Sequence, residues 1–170
     1  MDLKYPPHLT RAVQHKTEGF QLEGQLRGQG NPNACLMLIG EAPGRTEIES
    51  HVPFSGKAGE QLTTALHQIG LGREDIYITS AVRSRPYAIK KNKRNSTITF
   101  PNRPPLQKEI HAHAPLLDWE IEQIQPAIIA TLGNTALHRL MGTSLQISKH
   151  HGRARGHEIL RFNPKTNTYK

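Results

Sequence analysis

Residues 36–56, LMLIGEAPGRTEIESHVPFSG, set the carboxylate of Glu41 directly after a run of apolar residues and directly before a Pro-Gly turn. An isolated glutamate in Gly40-Glu41-Ala42-Pro43-Gly44 is ordinarily a solvated charge in a turn. Three other features fall at or near the rim expected for it: PFSG at 53–56, after the loop that follows the turn, Ser80 at the end of a second apolar run, and LGN at 132–134 at the end of a third. Gly56-Lys57 raises the question of a phosphate loop, but that pattern needs Gly at position 51 and Ser or Thr at 58. The chain has His51 and Ala58 there, which excludes nucleotide triphosphatase chemistry of that type. His111 and His113 do not form a metal pair, because residues two apart on a helix point to different faces. They are expected to be solvated or loosely packed. His150 and His151, in SKHHG, suit phosphate contact better than metal ligation. No metal and no cofactor is expected.

The elements that must position these groups alternate. CLMLIG (35–40) has the length and continuity of a strand covered on both faces. In GKAGEQLTTALHQIG, Leu62, Ala65, Leu66 and Ile69 recur at helical spacing before Gly70. DIYITSAV (75–82) reads as a second strand. LQKEIHAHAPLLDWEIEQIQ reads as a helix that Pro115 should kink or split. AIIATLG (127–133) is expected to be a third buried strand, followed by a short helix, NTALHRLMG, with Asn134 as N-cap. A β-α-β-α-β-α order predicts an α/β fold, with a mainly parallel sheet and helices on both faces. Ligands of such sheets bind beyond the carboxyl ends of the strands, where Glu41 stands.

The formal charge of +8 has a local origin. No acidic residue occurs between Ile76 and Lys108, while Arg83, Arg85, Lys90, Lys91, Lys93, Arg94, Arg103 and Lys108 all fall there. The remaining Lys and Arg balance the Asp and Glu, so this segment carries the whole excess. It is the footprint of a surface for a polyanion, or else a solvated loop, since KKNKRNSTITFPNRPP is also rich in Asn, Ser and Pro. Nucleic acid is preferred to a membrane surface because no apolar helical face accompanies the charge. A single cysteine, Cys35, forms no internal disulfide and points to a reducing, cytoplasmic setting. The start MDLKYPPHLT has no apolar leader core, and the 170 residues fit one domain.

GEAPG, PFSGKAGEQL, IGLGREDIYIT…RP, IQPAIIATLGNTAL and ISKHHG, in this order from about Asn31 to Gly152, closely resemble the family-four-like members of the uracil-DNA glycosylase superfamily. The resemblance implies a three-layer α/β/α sandwich around a four-stranded parallel sheet. It also implies hydrolysis of the N-glycosidic bond of uracil, or of a related deaminated base, in DNA. Carried onto this sequence, Glu41 is the catalytic carboxylate, and Ala42, Pro43 and Gly44 form the turn that holds the flipped nucleotide. Phe54 is the ring on which uracil stacks, and Ser80 is the base-reading position. Phosphate contacts are expected from Arg83, Arg85, Lys90, Lys91, Lys93, Arg94, Arg103, Asn134, Lys149 and His150. The expected partner is DNA containing the damaged base, with no membrane and the protein a monomer.

Three departures from the resembling group accompany this reading. Its members commonly hold an iron–sulfur cluster on four cysteines, whereas Ser84 and His113 stand at two of those positions here and no cluster should bind. Ser80 replaces an Asn, whose amide both donates to uracil O4 and accepts from N3–H; one hydroxyl does not make both bonds with comparable geometry, so discrimination against cytosine should weaken. No His-Pro dipeptide occurs, so the sequence is expected to be C-terminally truncated or to have lost that part of the site. The fourth parallel strand should then be absent, leaving the third strand's outer edge open or covered by GHEILRF (156–162), read as a strand or a hairpin arm. The alternative function is a catalytically weak nucleic-acid-binding module on the same fold.

Overall fold

The computed structural model describes residues 3–156, 158–163, 165, 166 and 168–170. The first half runs α1 (Pro7–Thr17), β1 (Leu22–Glu23), β2 (Gln29–Gly30), β3 (Leu36–Gly40), α2 (Arg45–Ser50), α3 (Lys57–Gln68), β4 (Tyr77–Ser80) and β5 (Arg85–Pro86). The second half runs β6 (Lys90–Lys91), β7 (Ile98–Thr99), α4 (Gln107–Ile124), β8 (Ile128–Thr131), α5 (Asn134–Met141), α6 (Ile147–His150), β9 (Phe162–Asn163) and β10 (Thr168–Tyr169). The chain is thus α/β, as its alternating pattern predicts.

The largest sheet has the order β2-β4-β3-β8. Its centre, β3, pairs in parallel with both β4 and β8, and the register sets Gly40 opposite Ser80 and Ile39 opposite Thr131. The carboxyl ends of the three strands therefore finish level, which brings the GEAPG turn, Ser80 and the LGN segment to one rim. Alternate residues of β3 enter different cores, as a pleated strand requires. Met37 and Ile39 pack with Leu117, Ile121, Ala136 and Leu140 from α4 and α5, whereas Leu38 packs with Leu66 of α3 and Ile78 of β4.

The sheet is mixed and not parallel throughout, because its fourth strand is the two-residue β2, antiparallel on β4. Other expectations are corrected. The third strand is not buried on both sides, since Ile128 is 58% exposed and no strand pairs with the outer edge of β8 among the described residues. A groove of about 890 Å³ lies there, lined by Ile128, Leu137, Met141, Arg153, Ile159 and Arg161 among others. In the 156–162 segment, His157 lies outside the described residues. Of the rest only Phe162 enters a strand, and its β9–β10 hairpin is tied to α4, with the Phe162 N–H donating to Asp118 Oδ2 at 2.8 Å. Finally, Pro115 does not split the helix that contains it: α4 runs unbroken from Gln107 to Ile124. The residues on either side of Pro115, Ala112, His113, Ala114, Leu116 and Leu117, are all buried, and that packing outweighs the roughly 3 kcal/mol penalty of an internal proline.

Candidate functional site

Glu41 follows the last residue of β3, and its main chain is pinned there because the Val82 N–H donates to its carbonyl at 3.0 Å. Its carboxylate accepts a hydrogen bond from the hydroxyl of Thr135, the second residue of α5. That helix end also carries the positive pole of the peptide dipoles, which suits a neighbouring carboxylate. Beside Glu41, the ring of Phe54 lies against Gly40 so closely that a Cβ at Gly40 would collide with its Cζ. Phe54 adopts a positive φ of 52°, and the main chain around it is held by Arg73, which donates to the carbonyls of Pro53 and Phe54. On the adjoining strand, Ser80 Oγ donates to the carbonyl of Val82 at 2.7 Å. The structure therefore gathers Glu41, Phe54 and Ser80 at one rim, with Thr135 added.

Glu47 joins the two loops of this rim. One carboxylate oxygen accepts from the Gly44 N–H and the other from the Gly56 N–H, both at 3.0 Å. The Gly44 amide, one of the turn donors expected to hold a nucleotide, is thus already engaged, and Pro43 is buried; Ala42 remains half-buried beside Glu41. Sequence reasoning missed both Thr135 and Glu47. Glu47 had a legible signal, because a Glu three residues after a helix-starting residue has capping-box spacing. Thr135 had only its adjacency to LGN.

The basic segment divides sharply. Arg83 is 0% exposed: its Nη2 donates to Glu120 at 2.5 Å and its Nε to the Tyr5 hydroxyl at 2.8 Å. Glu120 also accepts from the Gly28 N–H and from Tyr5, Tyr77 and Thr79. Arg85 is 2% exposed and binds Glu23, Asn102 and the Phe100 carbonyl. Arg103 forms a two-pronged bond to Glu109, at 2.6 and 2.8 Å. All three are fold-building cations paired with acidic residues outside the basic segment, and burial removes Arg83 and Arg85 from the phosphate contacts expected of them. Lys90, Lys91, Lys93 and Arg94 are exposed, and they occupy a paired β6–β7 hairpin in place of a solvated loop. Asn134 is not the N-cap of α5, a position taken by Gly133; its Oδ1 accepts from the Ile147 N–H at 2.9 Å and anchors α6. On α6, Lys149 is exposed, and His150 approaches Arg155 at 3.1 Å. Loss of hydration and the cations of Arg155, Arg153 and Lys149 keep the His150 imidazole below its ordinary pKa.

His113 is not solvated. It is fully buried, with Nδ1 donating to the Glu109 carbonyl at 3.0 Å and Nε2 3.2 Å from Ser84 Oγ. Burial drives its pKa down to about 4, so the ring is neutral and accepts from the serine. A hydroxyl and a neutral imidazole bonded to each other, with Cys35 exposed just before β3, do not fit an iron–sulfur cluster. His111 faces elsewhere, against Phe162 and Tyr169. Among the described residues no helix is long and apolar enough to cross a membrane.

The family model described as uracil DNA glycosylase superfamily matches residues 27–167. The chain belongs to that superfamily. It is 44% identical over 107 residues to a type-4 uracil-DNA glycosylase of Saccharolobus solfataricus, covering 62% of this chain and 44% of the relative. It is 36% identical over 126 residues to a type-4 uracil-DNA glycosylase of Thermotoga maritima, covering 74% of this chain and 59% of the relative. A DNA polymerase of Bacillus phage SP01 is 32% identical over 113 residues, which are 66% of this chain and 11% of that protein. The chain spans about half the length of the type-4 relatives it matches.

Proposed function

We propose that the protein is a DNA glycosylase that hydrolyses the N-glycosidic bond of uracil, or of a related deaminated base, in DNA, as base excision repair requires. The observation that carries the reading is the Glu41 carboxylate, braced by Thr135 at the carboxyl ends of the parallel strands beside the Phe54 ring. A base within a duplex is out of reach, so the nucleotide is flipped into the site or taken from a single strand. Cleavage builds positive charge on the sugar and negative charge on the departing base. Glu41 stabilises the first and orients or deprotonates the attacking water, a role worth about 10²–10⁴-fold. Phe54 receives the base on its ring, which contributes about 1–3 kcal/mol. The type-4 glycosylase relatives support the same chemistry.

This reading carries the rest with it: one domain, a reducing cytoplasmic setting, and a three-layer arrangement in which α4 and α5 cover one face of the sheet and α3 the other. The two separate cores on alternate residues of β3 support that arrangement. The deciding experiment is Glu41→Gln, assayed by single-turnover excision from a uracil-containing oligonucleotide. The fold and DNA affinity should be retained while the rate drops at least tenfold, about 1.4 kcal/mol of barrier. Undiminished excision would remove Glu41 from the mechanism, and a wild type that binds without excising would return the chain to the binding-module reading.

A further inference from the structure

A second cleft adjoins the GEAPG turn at Arg45. It has a volume of about 480 Å³ and is lined by Leu22, Glu23, Arg45, Arg85, Tyr87 and Phe100. Its connection to the catalytic turn is direct: Arg45 follows Gly44 in sequence, and the Asn102 amide, held by Arg85, lies against Gly44. Its walls have a definite shape. The rings of Tyr87 and Phe100 meet at 83° with centroids 5.7 Å apart, forming an aromatic corner, and Phe100 is 43% exposed. The corner is braced from behind, because Tyr87 pairs with Asn102 and the Ala88 N–H donates to the Pro101 carbonyl at 2.9 Å. The same ladder continues outward into the β6–β7 hairpin and its cations Lys90, Lys91, Lys93 and Arg94.

The charges sort by availability. Arg85 forms the floor and is fully committed to Glu23, Asn102 and the Phe100 carbonyl, so it offers no net charge to a ligand. Arg45 is exposed at the rim and makes no ion pair or side-chain hydrogen bond among the described residues. An edge-to-face aromatic corner with an unpaired cation beside it, continuous with a cationic hairpin, matches a nucleotide: base on the Phe100 ring, phosphate on the Arg45 guanidinium.

We propose that this cleft binds one nucleobase of a single-stranded DNA, flanking the nucleotide held at Glu41. The base stacks on Phe100 with its edge toward Tyr87, Arg45 takes the intervening phosphate, and the strand leaves along the hairpin. The placement beside the reacting nucleotide rests on the glycosylase reading; the base-binding cleft itself does not.

The test uses a labelled thymidine 12-mer without uracil, and binding to the full chain is followed by anisotropy at fixed salt. Phe100→Ala, on an exposed side chain, should weaken binding about fivefold or more, in keeping with the loss of one stacked base, and Phe100→Trp should retain it. On a 12-mer of abasic residues the wild type and Phe100→Ala should bind alike. An unchanged affinity for the thymidine strand, or an equal loss on the abasic strand, would overturn the proposal and assign Phe100 to bracing the hairpin. Because the probe carries nothing to excise, a Phe100 effect that persists when Glu41→Gln leaves excision untouched would uphold the cleft while the glycosylase reading fell.

Discussion

Ser80 commits its single hydroxyl proton to the Val82 carbonyl, so toward a bound base it acts only as an acceptor. Uracil presents a donor at N3 and cytosine a bare nitrogen, so one hydroxyl retains part of the discrimination that an amide would supply in full. Ser80→Ala should therefore slow single-turnover excision of uracil at least about fivefold, the low end of losing a buried hydrogen bond, and Ser80→Asn should raise it. Equal rates for all three would mean that another group reads the base. His113 yields a prediction in pH. Its folded pKa of about 4 lies below the ordinary 6.5, so between those values the unfolded chain holds the extra proton. The stabilising effect is complete above pH 6.5 and is lost as pH falls toward 4, amounting to about 3 kcal/mol at most. Urea titrations over that range should show the loss in the wild type and a flatter profile in His113→Gln. Among the site residues, Glu41 stood out by its place between an apolar run and a Pro-Gly turn, whereas Phe54 was singled out by the resemblance of PFSG to the family's motif; the Phe54 ring packs against Gly40, the residue before Glu41. Thr135 was not legible: the Thr135–Glu41 bond joins residues 94 apart, and nothing local announces it.

Elements were legible where local periodicity decides them. β3, α3 and α5 match their expected spans closely, because apolar runs and helical spacing respond to the chain's own neighbours. The exposure of β8 was not legible, since an apolar run reads the same whether or not another strand lies beyond it. Nor was the division of the basic segment: net charge counts Arg83 and Lys90 alike, while only the three-dimensional partner separates a buried cation from a free one. The β6–β7 hairpin shows why that matters. Its turn is stiffened by Asn92 and Asn95 side chains that accept main-chain N–H groups of Arg94 and Thr97, so its cations project from an ordered arm. Replacing Lys90, Lys91, Lys93 and Arg94 with Ala should weaken DNA binding across sequences. It should also flatten the salt dependence by about 0.7–0.9 of a log–log unit per lost phosphate contact. A slope identical to the wild type would make the hairpin a spacer.

Across the whole molecule, the most far-reaching group is Glu120. Through Tyr5, Gly28, Tyr77, Thr79 and Arg83 it fastens the N-terminal segment, the approach to β2, the strand β4 and the segment after it onto α4. Arg83→Ala leaves that carboxylate buried without its cation and should cost about 3–5 kcal/mol in urea unfolding, whereas Arg83→Met combined with Glu120→Gln should recover much of it. A single variant no less stable than the wild type would mean that the four remaining donors suffice. The hub also fixes an order of events during synthesis. Tyr5 precedes Glu120 by 115 residues and Arg83 precedes it by 37. A nascent chain emerging from the ribosome thus exposes the strands, the phenols and an unpaired guanidinium well before their common partner has been made. Within its first hundred residues only the core of Leu38, Leu66 and Ile78 can close, and in a chain stalled at that length the opposite face of β3, with Met37 and Ile39, would stay open to proteases until α4 is translated.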